Sequence, residues 1–359
     1  MTKALVNKKN KENISKKILN IFKKKGFNFI DLDIVIDTDF LAQRSGEAFK
    51  KYALNFKDKS GKEISLRPDL TIATAIQYIQ NKTRGTEKLS YFGSAFRLNK
   101  NGDLKVFDQI GCEIINSKSS PEYLILSTVL SVFQKLKKTE IVLNDLSLFR
   151  SLINSLELPQ RWKLRLIRHS SRKEYFDELL RRLDTNYDLD NKKIKIDYKR
   201  LEDLKKMDSN KVISGRTVEE IVKRFEKKIK DPRDNFKGGQ SVKIIKNFLK
   251  IKAPVAKLDN LIKKFVEKNN LKIKDLNQSL RRLENLDKKL GVKQSIIFDA
   301  KFGRETQYYT GLAFSIYKKN KELARGGEYN NLIKILGGKQ TPAFGAAINL
   351  NQLIWAKLD

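Results

Sequence analysis

The side chains in this sequence that could do chemistry fall in three short runs. "LRPDLT" places Asp69 and Thr71 just beyond an Arg-Pro turn, "FDQIGCE" sets Gln109 and Glu113 four residues apart, and "FGRETQYYTG" carries Arg304, Tyr308 and Tyr309. Side chains alternate between the faces of a strand, so Gln109 and Glu113 share one face of an otherwise apolar run. Buried polar groups are costly unless paired, and these two need partners or a ligand. Taken one at a time, each reads first as a satisfied structural residue. Together with Arg304 and Tyr309, the residues Asp69, Thr71, Gln109 and Glu113 supply two carboxylates, an amide, a hydroxyl, a phenol and a guanidinium, a set suited to a small zwitterion with a basic side chain.

Other chemistries lack their residues. There is no GxxxxGK phosphate loop and no GxSxG elbow. His169, in "LIRHSSRKEYF", has no companion and reads as an ordinary helix or surface residue. The lone cysteine, Cys112, forms no intrachain disulfide, and one Cys with one His cannot assemble the usual zinc site. Neither a metal nor a cofactor is expected.

The elements that must position these residues show in the apolar periodicity. "NISKKILNIFKKKGF" is a helical stripe stopped by Gly26, and "FNFIDLDIVID" alternates like a half-buried strand. "AFKKYALNFKDKSGKEISLRP" reads as a hairpin turning at Ser60-Gly61, and "DLTIATAIQYIQNK" as a helix opened by Asp69. Two strands, "KLSYFGSAFRLN" and "KVFDQIGCEIIN", flank Asn101-Gly102, and the helix "PEYLILSTVLSVFQKL" follows. Strand signals return in "QSIIFDAKFG", "YYTGLAFSIYK", "LARGGEYNNLIKIL" and "TPAFGAAINLNQLIWAKL". Gly311, inside the second of these, marks a close approach to the backbone. Neighbouring strands joined by hairpins predict an α+β fold, a mainly antiparallel sheet flanked by helices. Residues 161–289, lysine-rich and helix-like, read as an insertion that splits one domain into 1–160 and 290–359.

The 359 residues, 40% hydrophobic, are enough to bury a sizeable core. No apolar run approaches the roughly 20 residues of a membrane span, so the expectation is a cytoplasmic protein. Lys and Arg number 75 against 42 Asp and Glu, a formal charge of +33. That excess would ordinarily point to a polyanion. Here the lysines are spread along the chain, without interleaved aromatics, and a nucleic-acid partner is not favoured.

"ISLRPDLT", "YFGSAFRLN", "FDQIGCEI", "FGRETQYYTGLAF", "GGEYNNL" and "TPAFGAAINL", in this order, resemble the catalytic domain of the histidyl-tRNA synthetases. They resemble still more closely its relatives that do not charge tRNA, the regulatory subunits of ATP phosphoribosyltransferase. The resemblance covers about residues 10 to 155 and 290 to 359, and implies a class II synthetase-like fold for them. It also implies a histidine pocket in which Asp69, Thr71 and Gln109 receive the α-amino group and Arg304 the α-carboxylate. Glu113 and Tyr309, beside Tyr308, would hold the imidazole nitrogens. Arg97 matches a phosphate-binding arginine.

Departures separate the two relatives. Gln352 stands where the synthetases carry a second phosphate-gripping arginine, and Asn99 where an acidic residue is expected. Gln307, Ser315, Glu328 and Asn330 depart at the rim, and "NFIDLDIVID" lacks the proline of the family's dimer motif. The sequence stops at Asp359, soon after the last motif, which leaves no anticodon-reading domain expected. The resemblance therefore implies a subunit without catalysis of its own, which activates a short-form ATP phosphoribosyltransferase catalytic subunit, takes part in feedback control by free histidine, and self-associates. The alternative is a truncated synthetase-like or tRNA-binding enzyme.

Overall fold

The computed structural model describes residues 3–38, 53–99, 101–134, 136, 138–185, 191–213, 216–230, 238–292, 295–306 and 308–358. A nine-stranded sheet forms its frame. Its strands are β1 (Asn28–Phe29), β5 (Glu87–Leu98), β6 (Leu104–Ile115), β7 (Thr139–Asp145), β10 (Lys252–Pro254), β11 (Ile296–Asp299), β12 (Leu312–Lys318), β13 (Lys321–Glu328) and β14 (Ala343–Asn349). They lie in the order β1-β5-β6-β14-β13-β12-β7-β11-β10. The pairs β1/β5 and β7/β11 are parallel and the other neighbours antiparallel, so the sheet is mainly antiparallel, as the hairpin signals predict.

The expected strand at residues 27–37 is broken in two. β1 joins the large sheet, whereas β2 (Val35–Asp37) pairs with β4 (Glu63–Leu66) in a small sheet with β3 (Asn55–Lys57). Between them the backbone leaves both ladders, and the Arg67 guanidinium donates to the freed carbonyls of Leu32 and Asp33. The β3–β4 hairpin turns at Gly61, whose φ of 83° suits glycine. The start of that run, residues 48–52, and Gln307 lie outside the described residues.

Alternation along β6 divides the sheet's environment. Ile110, Cys112 and Ile114 point into the main core with α1 (Lys3–Lys24) and α3 (Glu122–Phe133). Glu113 and Ile115 face the other side, where α2 (Leu70–Gln80) and the short α12 (Leu332–Ile335) pack through Ile72, Ile76 and Ile333.

Helices follow β7: α4 (Leu146–Ser155), α5 (Gln160–Arg168), α6 (Lys173–Asp184), α7 (Asn191–Lys205), α8 (Val218–Lys230), α9 (Gly238–Phe248), α10 (Leu258–Lys268) and α11 (Leu276–Leu290). The stretch 161–289 is mostly helical, with three short strands that its composition did not signal. β8 (Val212–Ile213) and β9 (Arg216–Thr217) pair with each other, and β10 extends the large sheet. Trp162, Phe176 and Phe248 share one buried cluster with Ile110 and Phe298. A last helix, α13 (Leu350–Leu358), follows β14.

Candidate ligand cavity

Asp69 opens α2 as its N-cap, with extended backbone (φ −156°) and Oδ1 accepting from the Ile72 amide at 2.8 Å. A cap of this kind satisfies one of the helix's orphan amides. The next amide, Leu70 N, donates to Gln109 Oε1 at 3.3 Å, so the start of α2 is tied to the β6 face that carries Gln109 and Glu113. One turn of helix over one strand brings together the first two chemistry-bearing runs.

Glu113 is fully buried. Its Oε1 accepts from Thr71 Oγ1 at 2.8 Å and Tyr91 OH at 2.9 Å, and its Oε2 accepts from Tyr329 OH at 2.7 Å. Gly345, opposite it on β14, makes room: a Cβ there would lie 1.3 Å from Glu113 Oε2. Burial pushes the carboxyl up to about 7, against the pull of the Tyr329, Thr71 and Tyr91 hydroxyls. Asp69 is also raised by burial, opposed by Arg97 and the helix amides.

Above this floor lies a cavity of about 430 Å³. Asp69, Thr71, Arg97, Gln109, Tyr308 and Tyr309 all line it. Tyr308 and Tyr309 meet edge to face, with centroids 5.1 Å apart, and burial raises both phenols, which stay neutral donors. Arg97 donates through Nε to the Pro68 carbonyl at 2.7 Å, lies 3.6 Å from Asp69 and covers the Phe107 ring.

Two residues assigned by resemblance are placed differently. Glu113 lies behind the floor, its carboxylate engaged by three hydroxyls, and does not line the cavity. Arg304 is not brought to the cavity at all. Gly303, at φ 78°, turns the chain, and the Arg304 guanidinium lies 4.7 Å from the Phe149 ring and 4.5 Å from that of Phe176. It donates to the Ser170 carbonyl at 3.0 Å, and burial pushes its pKa down to about 10 against the pull of Asp177 and Glu305. A weakly hydrated, planar cation packs well against two rings that meet edge to face, and this contact wins over the cavity.

The guanidiniums that do line the cavity belong to Arg97 and Arg325. Arg325, on β13, donates to Glu322 through Nη2 at 2.7 Å and Nε at 2.9 Å, and to Glu305 through Nη1. Burial opposes its charge, but Glu322 and Glu305 prevail and hold its pKa above the ordinary value. Lys321 sits over the Trp355 ring at 3.7 Å. Neither of these residues, nor Tyr91 and Tyr329 against Glu113, was singled out from sequence. The signal for Arg325 was its place immediately before Gly326-Gly327, and for Tyr329 its place immediately after Glu328.

Gln352, from α13, also lines the cavity, with Asn349. Asn99 is turned to Asp103 within the β5–β6 hairpin, at 2.8 Å from its Oδ2. Ser315 donates to Glu322 at 3.0 Å, while Glu328 and Asn330 bond each other at 2.6 Å. His169 stacks edge to face on Tyr175, its pKa lowered by burial and by Arg172, Arg168 and Arg165. Among the described residues, no group of three or more His, Cys, Asp or Glu could hold a metal ion.

The family described as histidyl-tRNA synthetase matches residues 6–353. A histidine–tRNA ligase of Sulfurisphaera tokodaii is 27% identical over 349 residues, spanning 93% of this chain and 68% of that protein. An ATP phosphoribosyltransferase regulatory subunit of Rhizobium rhizogenes is 24% identical over 355 residues, spanning 91% and 93%. Among solved structures, an ATP phosphoribosyltransferase regulatory subunit/histidyl-tRNA synthetase from Bacillus halodurans superposes with a TM-score of 0.65 at 16% identity, over 97% of this chain and 79% of that one. At that identity the likeness is one of fold.

Proposed function

The chain belongs to the histidyl-tRNA synthetase family, and from that premise we propose that it is a member without synthetase activity, the regulatory subunit of a two-component ATP phosphoribosyltransferase. The observation that carries this reading is Gln352. A neutral amide lines the cavity where the synthetase pattern calls for an arginine on the ATP phosphates. The cations that remain are engaged within the protein: Arg325 with Glu322 and Glu305, Arg97 with Pro68 and Asp69, and Lys321 over the Trp355 ring. Loss of one preorganised charge at a reacting centre slows catalysis by roughly 10²–10³.

The cavity keeps part of what a free amino acid needs, although Arg304 and Glu113 do not line it. Asp69 and Gln109 suit an α-ammonium, and Tyr308 and Tyr309 supply neutral hydroxyls beside it. In this reading histidine binds there and its occupancy biases the contact with a short-form catalytic subunit, because a ligand shifts an equilibrium by its differential affinity for two states. Sequence relatives named as regulatory subunits support the reading.

Two assays test it. Histidine-dependent ATP–pyrophosphate exchange is expected to be absent, and mixing with the cognate catalytic subunit is expected to form a hetero-oligomer with faster phosphoribosyl transfer. Exchange at a synthetase's rate would instead establish the second reading, an active synthetase-like enzyme, which the presence of Arg97, Lys321 and Arg325 at one cavity favours. Separate elution at micromolar concentration with unchanged transfer would remove the regulatory one.

A further inference from the structure

Glu328 and Asn330, two of the positions that depart from the synthetase pattern, do not line the ligand cavity. They lie behind the segment that does. Tyr308 and Tyr309 line the cavity, and the two residues after them bond or pack against Glu328 at the end of β13. The Glu328 carbonyl accepts from the Thr310 amide at 2.7 Å and from Thr310 Oγ1 at 3.3 Å, and Thr310 Oγ1 accepts in turn from the Asn330 amide at 3.1 Å. The Tyr309 ring rests on Gly327, where a Cβ would come within 2.9 Å of it, and the Glu328 carboxylate rests on Gly311, where a Cβ would come within 2.6 Å of Oε2. Two glycines thus let the tyrosine segment and the end of β13 approach more closely than side chains would allow.

A carboxylate packed against backbone in this way keeps its orientation only while both oxygens are held. Glu328 Oε1 accepts from Asn330 Nδ2 at 2.6 Å and Oε2 from Arg282 Nη2 at 2.6 Å. The Glu328 side chain is 18% exposed, so without Arg282 it has a route to water, and turning outward would leave a gap behind Gly311. Arg282 belongs to α11, in the stretch 161–289 that carries none of the family motifs. We propose that Arg282 and Glu328 are positioning residues for the ligand cavity: their ion pair fixes the Tyr308–Gly311 segment from behind, so that a helix of the 161–289 stretch sets the placement of the two tyrosines that a ligand meets. The consequence for binding rests on the reading of that cavity as the site of a free amino acid.

Two measurements on the full chain test this, and the first needs no ligand. Hydrogen–deuterium exchange reads the protection of the Thr310 amide and its neighbours. Glu328→Gln keeps the size of the side chain and an acceptor for Asn330 while removing the charge that Arg282 meets. Exchange across 308–311 should then quicken about tenfold, the worth of one hydrogen bond to a charged group, with β5 and β6 unchanged. Arg282→Met should quicken the same amides, but it also releases Glu122 and Asp145 and could loosen the whole chain, which is why Glu328→Gln carries the test. Arg281→Ala, next to Arg282 on α11 and exposed in the wall of a second cavity of about 520 Å³, should leave 308–311 as they are. An ion pair that only fastens α11 would instead speed exchange in α11 and leave 308–311 protected, and that result overturns the proposal.

The second measurement is calorimetric titration with histidine. Glu328→Gln should weaken binding about tenfold through the misplaced tyrosines. Equal affinity in parent and variant would also overturn the proposal. If the parent binds no histidine, the histidine reading of the cavity fails, and the exchange result alone decides the positioning claim.

Discussion

Glu113 and Arg304 show how much one side chain's surroundings decide. The Glu113 carboxyl, raised from 4.5 to about 7 chiefly by burial, keeps its proton in the folded state over a range where the unfolded chain has released it. Its stabilising contribution is therefore full below about pH 4.5, falls as pH rises through about 7, and is flat above. The difference amounts to about 3 kcal/mol. Between pH 8 and pH 6 the melting temperature should rise on acidification, and Glu113→Gln should flatten that slope. Asp69, raised in the same sense, leaves part of it. A slope unaltered by the substitution would place the titration elsewhere. Arg304 makes the contrasting case. Removing its guanidinium from its place against Phe149 and Phe176 should lower stability by about 1–2 kcal/mol, so Arg304→Met should melt earlier yet bind histidine with unchanged affinity. Gln109→Ala, inside the cavity, should differ in weakening histidine, and should also lower the melting temperature because it leaves the Leu70 amide without its acceptor. Calorimetric titration of both variants distinguishes the two roles.

At the scale of elements, α11 joins the main core through Leu280, Leu283 and Leu286 and is tied further by ion pairs. Arg282 joins it to the start of α3 through Glu122, to the end of β7 through Asp145 and to the end of β13 through Glu328. These carboxylates are mostly out of water, and deleting one member of such a group leaves uncompensated buried charge. Arg282→Met is expected to destabilise the chain by about 3 kcal/mol, measured by urea unfolding. A change below a few tenths would mean that the carboxylates find other donors. Glu328 is also next to Tyr329, which holds Glu113, so the tie between α11 and the sheet ends one residue from the floor of the first cavity.

At the scale of the whole molecule, the cavity and the core make different demands. The main cluster runs from α1 through the sheet to the helices of 161–289, while the cavity lies on the Gln109 face of β6, at the start of α2. Ligand binding to the folded state must stabilise it by mass action. At a concentration about a hundredfold above its dissociation constant, histidine would contribute about 2.7 kcal/mol, a rise in melting temperature of several degrees. Absence of any shift, alone or with the catalytic partner present, would remove the histidine site. Among the described residues no helix is long and apolar enough to cross a membrane.

Local order was legible in the sequence because it rests on short-range rules. Hydrophobic period placed α1, α2, α3 and the β5–β6 and β3–β4 hairpins; Asp69 announced its own cap; and alternation placed Gln109 and Glu113 on one face. The α+β class followed from hairpins between neighbouring strands. What only the tertiary structure decided depends on residues far apart in the chain. Glu113 meets Tyr329, 216 residues away, because β14 brings Gly345 opposite it and leaves space for both. Arg304 lies on Phe149 and Phe176 because desolvation and ring contact are properties of packed neighbours, which no motif carries. For the same reason the break between β1 and β2 was hidden: alternation is the same in one strand or two, and the choice between sheets is made by partners such as Arg67.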